Sequence, residues 1–261
     1  MDRLLADIEA TAREAAQIML KAGNSPAHAK EGHYNYVTDA DVQVQKLLIE
    51  RLHALVPDAE FLAEEQDNQR LSAAPTFIID PIDGTLNFMR SRQCSAISIA
   101  LLRERRPVLG LIYDPYRDEL FTATLGGGAR LNGHEIRVSD VPLERAMVGI
   151  GTSPYNPALA RRTLDIACEF LLSAGDLRRI GSAALDLCYI ACGRADVYYE
   201  LQLSPWDFAA GALIVSEAGG RFALPRNGRA DELDFGVPGC VLATNARCYQ
   251  AALDVLMRHG V

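Results

Sequence analysis

The chain is poor in the features that mark binders of polyanions or membranes. Its 26 Lys and Arg residues are outnumbered by 34 Asp and Glu, giving a formal net charge of −8, and the short "RERR" of Arg103 to Arg106 is the only dense basic cluster. That stretch precedes Pro107 and reads as a solvated turn. Direct nucleic-acid binding is therefore not expected. Long apolar runs are missing as well: the longest, Cys94 to Leu102, is far too short to span a bilayer. The N-terminal "MDRLLADIEATAREAAQIML" scatters acids among its apolar residues, unlike the basic-then-apolar order of a secretory signal. A soluble, cytoplasmic protein with no membrane contact is expected.

Six cysteines (Cys94, Cys168, Cys188, Cys192, Cys240, Cys248) form no C-x-x-C pair, so reduced, mostly buried thiols are expected. The five histidines (His28, His33, His53, His134, His259) show no spacing such as H-E-x-x-H, which argues against zinc. Repeats and low-complexity segments are absent too. With 49% hydrophobic and 23% charged residues the chain has an ordinary globular composition.

Within those limits the periodicity is informative. Leu4, Leu5, Ile8, Ala12, Ala15 and Met19 fall at helical spacing over residues 2 to 22, and Gly23-Asn24 ends the pattern. Thr38 with Asp41 three residues on predicts a helix start of the capping-box kind, with Val44, Leu47, Leu48, Leu52 and Leu55 buried and Pro57 ending it. From Phe61 to Val148 the chain changes to short apolar or alternating runs, "EFLA", "TFIID", "SAISIALL", "VLGLIYD", "ELFTAT" and "EIRVS", read as strands. After "MVGIGTS" helices return: about Pro157 to Leu172, Ser182 to Ala191 and Pro205 to Ala218, interleaved with the strands "ADVYYEL" and "VLATN", then a final helix. No linker composition interrupts residues 140 to 147. One domain over 1–261 is expected, with two packed lobes of roughly 1–145 and 146–261.

The chemistry concentrates in acids at element ends. "FIIDPIDGTLNF" places Asp80 and Asp83 behind the apolar run ending at Ile79; "FLAEEQ" ends in Glu64 and Glu65; "SPWDFAAG" puts Asp207 in the first turn of a helix. Each has an ordinary alternative, a polar turn or a helix-dipole partner. Buried together, they would repel one another and need a cation. A carboxylate-only set points to a hard cation, with magnesium the usual choice beside phosphate. Gly84 would let backbone approach a ligand.

"DPIDGT" followed by "LNF", the acidic pair upstream, "WDFAAG" downstream and "RRIGSAALDLCYIACGRADVYYE" resemble the inositol monophosphatase family, in its bacterial branch, within the magnesium-dependent, lithium-sensitive phosphatases. The resemblance covers nearly the whole chain. It implies a layered α/β/α/β/α sandwich of the inositol monophosphatase and fructose-1,6-bisphosphatase type, a homodimer, and two to three Mg2+ ions. By the resemblance, Glu64, Asp80 and the Ile82 carbonyl hold a first ion, Asp80, Asp83 and Asp207 a second, and Glu64 a weaker third near Lys30. Thr85 with Asp41 orients the attacking water, and the Gly84 and Thr85 amides meet the phosphate. Glu200, Gly181, Ser182, Ala183 and Asp207 contact the substrate. The implied activity is hydrolysis of a small phosphate monoester, foremost myo-inositol 1-phosphate. Fructose-1,6-bisphosphate, nucleotide 3'-phosphate and histidinol-phosphate are alternative substrates, and a regulatory binding role in transcription or translation is the alternative of another class. The chain departs from the family pattern at Ala63 and Gln66, which flank the acidic pair, and in the aromatic bulk of "HYNY", His33 to Tyr36.

Overall fold

The structure, a computed structural model, describes residues 1–23, 27–29, 36–66, 70–226 and 233–261. Lys30 and residues 33–35 of the sequence expectations lie outside them. The chain opens with helix α1 (Asp2–Ala22), an antiparallel pair β1 (Ala27–Ala29) and β2 (Tyr36–Thr38), and helix α2 (Asp39–Leu55). Strands β3 (Glu60–Ala63) and β4 (Thr76–Asp83) lead through the short α3 (Thr85–Met89) to β5 (Ala96–Arg103), β6 (Arg106–Asp114), β7 (Glu119–Thr124), β8 (Ala129–Leu131) and β9 (His134–Glu135). The second half runs β10 (Met147–Ile150), α4 (Ala160–Ser173), β11 (Asp176–Arg178), α5 (Ala183–Ala191), β12 (Val197–Leu203), α6 (Pro205–Glu217), β13 (Arg221–Ala223), β14 (Gly239–Thr244) and α7 (Tyr249–Arg258).

Two large sheets organise these elements. One has the order β3-β4-β5-β6-β7-β8-β9, the other β11-β10-β12-β14-β13. Ile8, Ala12, Met19, Val44 and Leu48 of α1 and α2 bury one face of the first sheet against Phe77, Ile79, Ile99 and Leu111. Helices α5 and α6 fill the space between the sheets, touching Ile78 and Ile112 on one side and Tyr198 and Val241 on the other. Outside the second sheet, Ile166, Phe170, Ala252 and Leu256 of α4 and α7 pack on Val148, Tyr199 and Leu242. The result is the expected α/β/α/β/α order of layers. The central helices are buried almost all round, as their unbroken "AALDLCYIA" and "FAAGALIV" runs require.

Helix α6 packs on the first sheet through small residues: Ala210 lies over β6, while Gly211 faces Leu187 of α5. A Cβ on Gly110 of β6 would stand 2.7 Å from the Ala210 carbonyl oxygen. This contact decides how deep the N-terminus of α6, and with it Asp207, sits.

Two expectations need correction. Of "EIRVS" only Glu135 lies in a strand, the two-residue β9; beyond it Val138 donates its N–H to the Ala218 carbonyl at the end of α6 (3.1 Å), which draws the chain off the sheet edge. The thiols are not mostly buried: Cys188 and Cys248 are, but Cys168 is exposed because α4 turns Thr163, Ile166, Ala167 and Phe170 inward instead. The alternative reading of "DPID" as a turn after a strand does not hold, since β4 continues to Asp83.

Gly110→Val should therefore destabilise the protein by about 1–3 kcal/mol, the usual range for overpacking a tight contact, as measured by urea unfolding. A variant within about 0.5 kcal/mol of the parent would mean that α6 does not rest on β6 in this way.

Candidate active site

The convergence of the acids begins with strand register. β3 and β4 run parallel with Ala63 beside Ile79, so the following residues, Glu64 and Asp80, emerge as neighbours; the Glu64 N–H donates to the Ile79 carbonyl at 3.3 Å. Along β4, residues three apart would ordinarily face opposite sides of a sheet. Here Asp80 pairs with Ser98 and Asp83 with Ala96, so three steps on β4 match two on β5. The extra residue is a bulge, and Pro81, which has no N–H for the ladder, sits inside it. The bulge returns Asp83 to the side of Asp80.

Asp207 arrives from α6. Its carboxylate accepts the N–H of Ser204 at 2.8 Å, fixing it across the start of the helix, and the Ser98 hydroxyl donates to the Trp206 carbonyl at 3.2 Å. Ser98 is the strand partner of Asp80, so one residue of β5 anchors both contributions. Carboxylate oxygens of Asp80, Asp83 and Asp207 lie within 4.8 Å of one another.

Such proximity is electrostatically costly. Asp80 is 1% exposed, and burial, then the fields of Glu64, Asp83, Asp207 and Asp41, hold its pKa well above the usual carboxylate range. Burial pushes Asp83 up to about 6 against the hydrogen bonds it accepts from the Ser182 hydroxyl and the Ala184 N–H. Asp207 is raised by burial, then by Asp83 and Glu64. Asp41 rises to about 6 through burial, opposed by hydrogen bonds from Thr38, and its Oδ1 has no hydrogen-bond partner among the described residues. Among those residues, Asp41, Asp80, Asp83 and Asp207 form no salt bridge with Lys or Arg. An all-oxygen donor set, crowded and buried, fits a hard divalent cation and offers no ligand that zinc or copper would favour.

The other expected residues surround a cavity of about 310 Å3 lined by Asp83, Gly84, Thr85, Gly181, Ser182, Ala183, Glu200 and Asp207. Gly84 has φ +86, and a Cβ there would meet the Cys94 and Gly181 carbonyl oxygens at 3.0 and 3.1 Å, so glycine is required on both counts. Asn87 ties the two walls together by donating to the carbonyls of Cys94, Ile180 and Gly181. Asp41, Glu64, Asp80 and Ile82 adjoin this wall without lining the cavity. The expected Thr85–Asp41 pair is not joined by a direct hydrogen bond: Thr85 donates to the Ile82 carbonyl (3.2 Å), and Asp41 is held by Thr38.

Among the lining residues that sequence reasoning passed over are Tyr155, Arg179 and Asp186. Tyr155 follows β10 in a loop without periodicity and stays largely exposed at the cavity rim. Asp186 did leave a signal, a lone acid within the apolar run of α5.

Candidate ligands for a hard cation, set where a strand bulges and opening on a cavity of small-molecule size, are the arrangement a metal-assisted phosphatase needs. The inositol monophosphatase family model matches residues 1–258, and the chain belongs to that family of phosphatases. It is 37% identical to the Nus factor SuhB of Xylella fastidiosa, over 95% of this chain and 96% of that one. It is 38% identical to inositol monophosphatase 2 of Solanum lycopersicum, over 94% of each. Among solved structures, the Thermotoga maritima IMPase superposes with a TM-score of 0.88 at 28% identity, covering 99% of this chain and 98% of that one.

The crowded acids give the metal-free protein a defined pH response. Folded Asp83 keeps its proton to about 6, whereas its ordinary value is 3.8. The folded state thus binds more protons than the unfolded chain in that window, and stability in chelator should fall as pH rises from about 4 through about 6. At pH 7 in chelator, Asp80→Asn should be more stable than the parent by roughly 1 kcal/mol, and should gain less from an added divalent cation. Thermal melts with and without the cation check this; a less stable Asp80→Asn with an undiminished cation response would assign Asp80 to local structure alone.

Proposed function

We propose that the chain hydrolyses the phosphate monoester of a polyol, myo-inositol 1-phosphate, with magnesium as cofactor. The observation that carries this reading is the cluster of buried Asp80 and Asp83 with half-buried Asp207, without a basic partner among the described residues, opening on a cavity whose lining includes Glu200. The name of the tomato relative supports the choice of inositol phosphate.

Glu64, Asp80 and the Ile82 carbonyl would hold one ion, Asp80, Asp83 and Asp207 another, and Glu64 a weaker third. Bound magnesium supplies charge to neutralise the phosphate and lowers the pKa of water. The remaining work falls to the chain. The Gly84 and Thr85 amides bind phosphate oxygens at the turn into α3. Thr85 and Asp41 orient the attacking water; the unpartnered Oδ1 of Asp41 is available to accept a proton or a hydrogen bond. Asp207 stands where a water can be held to protonate the departing alkoxide. Gly181, Ser182 and Ala183 wall the ring of the alcohol, and Glu200 accepts one of its hydroxyls. The products are inositol and inorganic phosphate, with no covalent enzyme intermediate.

The name Nus factor SuhB of the Xylella relative favours a second reading, a regulatory binding role. A chain that releases phosphate from no monoester, with magnesium present, would favour it over catalysis.

Magnesium should support release of phosphate from inositol 1-phosphate, chelator should abolish it, and lithium should inhibit it. Full activity in excess chelator would refute the metal assignment. Asp83→Asn should lower kcat at least about a hundredfold, equivalent to several kcal/mol of lost stabilisation; a near-normal rate removes Asp83 from the reaction. Glu200→Ala should reduce discrimination among sugar and inositol phosphates more than it slows hydrolysis of an aryl phosphate. Equal losses on every substrate would make Glu200 structural.

A further inference from the structure

The cavity holds one acid for which the metal site has no use. Asp186, in the first turn of α5, is 4% exposed and lines the cavity, and among the described residues neither of its carboxylate oxygens accepts a hydrogen bond. Glu200 nearby is different: its two oxygens accept the Ser153 N–H at 2.6 Å and the Tyr198 hydroxyl at 2.7 Å. A carboxylate buried without partners is heavily penalised, and packing alone gives no reason for one in an otherwise apolar helix.

The neighbouring strand makes room for both acids. Gly149 and Gly151 stand two apart on β10 and its continuation, on one face, roughly 7 Å from each other by strand rise. A Cβ on Gly149 would lie 2.9 Å from Asp186 Oδ1, and one on Gly151 would run into the Glu200 carboxylate. Two successive same-face positions are thus stripped of side chains where two carboxylates lean over the strand. Arg179 also lines the cavity, donating to the Thr152 hydroxyl at 3.1 Å and not to Asp186.

We propose that Asp186 is a specificity-determining residue that accepts a hydrogen bond from a second hydroxyl of the leaving alcohol, so that Asp186 and Glu200 together select phosphate esters of alcohols carrying at least two further hydroxyls. The proposal rests on the polyol-phosphatase reading above. Hydroxyls suit the site better than an ammonium group, because the Arg179 guanidinium and any bound cations would repel a cationic leaving group. Asp186 has free lone pairs, whereas Glu200 already uses one on each oxygen, so the two acids divide the work: Glu200 is pre-oriented, and Asp186 is completed by the substrate.

The test compares the parent with Asp186→Asn and Asp186→Ala in magnesium, measuring kcat/KM for inositol 1-phosphate and for p-nitrophenyl phosphate, which has no hydroxyls on its leaving group. Melting temperatures with and without myo-inositol provide a readout independent of turnover. Both variants should lose about tenfold or more in the ratio of inositol ester to aryl ester, the scale of a hydrogen bond to a charged acceptor. The loss should lie mainly in KM. Asp186→Asn should melt higher than the parent without ligand and show a smaller rise with inositol. An unchanged ratio in Asp186→Asn, with the parent preferring inositol 1-phosphate, overturns this inference and leaves the polyol reading intact. A lower melting temperature without ligand would instead make Asp186 a structural acid. A parent with no preference for inositol 1-phosphate defeats the polyol reading and this inference with it, and a parent preferring an amino-alcohol phosphate replaces the inference with a cation site.

Discussion

Repulsion among carboxylates in a small buried volume is the constraint on which the molecule turns. Each charge added near Asp80 raises the penalty on the others, and the fold does not relieve it with Lys or Arg among the described residues. It relieves it in part with dipoles: Ser182 and Ala184 on Asp83, Ser204 on Asp207, Thr38 on Asp41. All four donors stand at helix starts, where unpaired N–H groups are in surplus. The capping boxes of α2 and α6 are thus structural and electrostatic at once. Their acids cap a helix with one oxygen and keep lone pairs for other work, which reconciles the bland reading of each acid with its place in the cluster.

Holding the acids close despite repulsion demands a frame that cannot relax. Three devices provide it. The parallel β3–β4 register brings Glu64 level with Asp80, the bulge at Pro81 turns Asp83 back to the same side, and the small residues of α6 let Asp207 descend onto the sheet. Hydrophobic burial on both faces of the first sheet supplies the driving force. The site is therefore mainly a consequence of the middle layers of the sandwich, and of the outer helices α2 reaches it directly through Asp41.

Much of this was legible before the structure. The capping pattern of Thr38 and Asp41 marked the start of α2, and the amphipathic spacing of α1 matched its buried residues Ile8, Ala12, Ala15 and Met19. Asp80, Asp83 and Asp207 stood out because acids at element ends are conspicuous against apolar runs. The bulge was not legible, because Asp-Pro and Asp-Gly favour a turn and only the pairing of β4 with β5 keeps the segment extended. Strands β11 and β13, three residues each, owe their existence to their neighbours and carry no period of their own. "EIRVS" failed for the reverse reason: its alternation suits a strand, but Val138 takes a carbonyl at the end of α6. Asp186 was hidden by its setting, since one acid among eight apolar neighbours reads as a helix with a blemish.

The two sheets divide the labour of the cavity. The acids around Asp80 and the turn at Gly84 belong to β3, β4 and the loop into α3, whereas Gly149, Gly151 and Glu200 belong to β10, its continuation and β12, with Asp186 delivered by α5. Groups that would face phosphorus and groups that would face the leaving alcohol therefore sit on different frames, joined by α6, the Ser182–Asp83 bond and the Asn87 clamp. Substitutions on β10 or α5 can reshape the alcohol side while the ligand geometry on β4 stays fixed. Family membership accordingly constrains the phosphate chemistry of this chain more tightly than its substrate, and the groups proposed to read the alcohol lie on β12 and α5 beside β10.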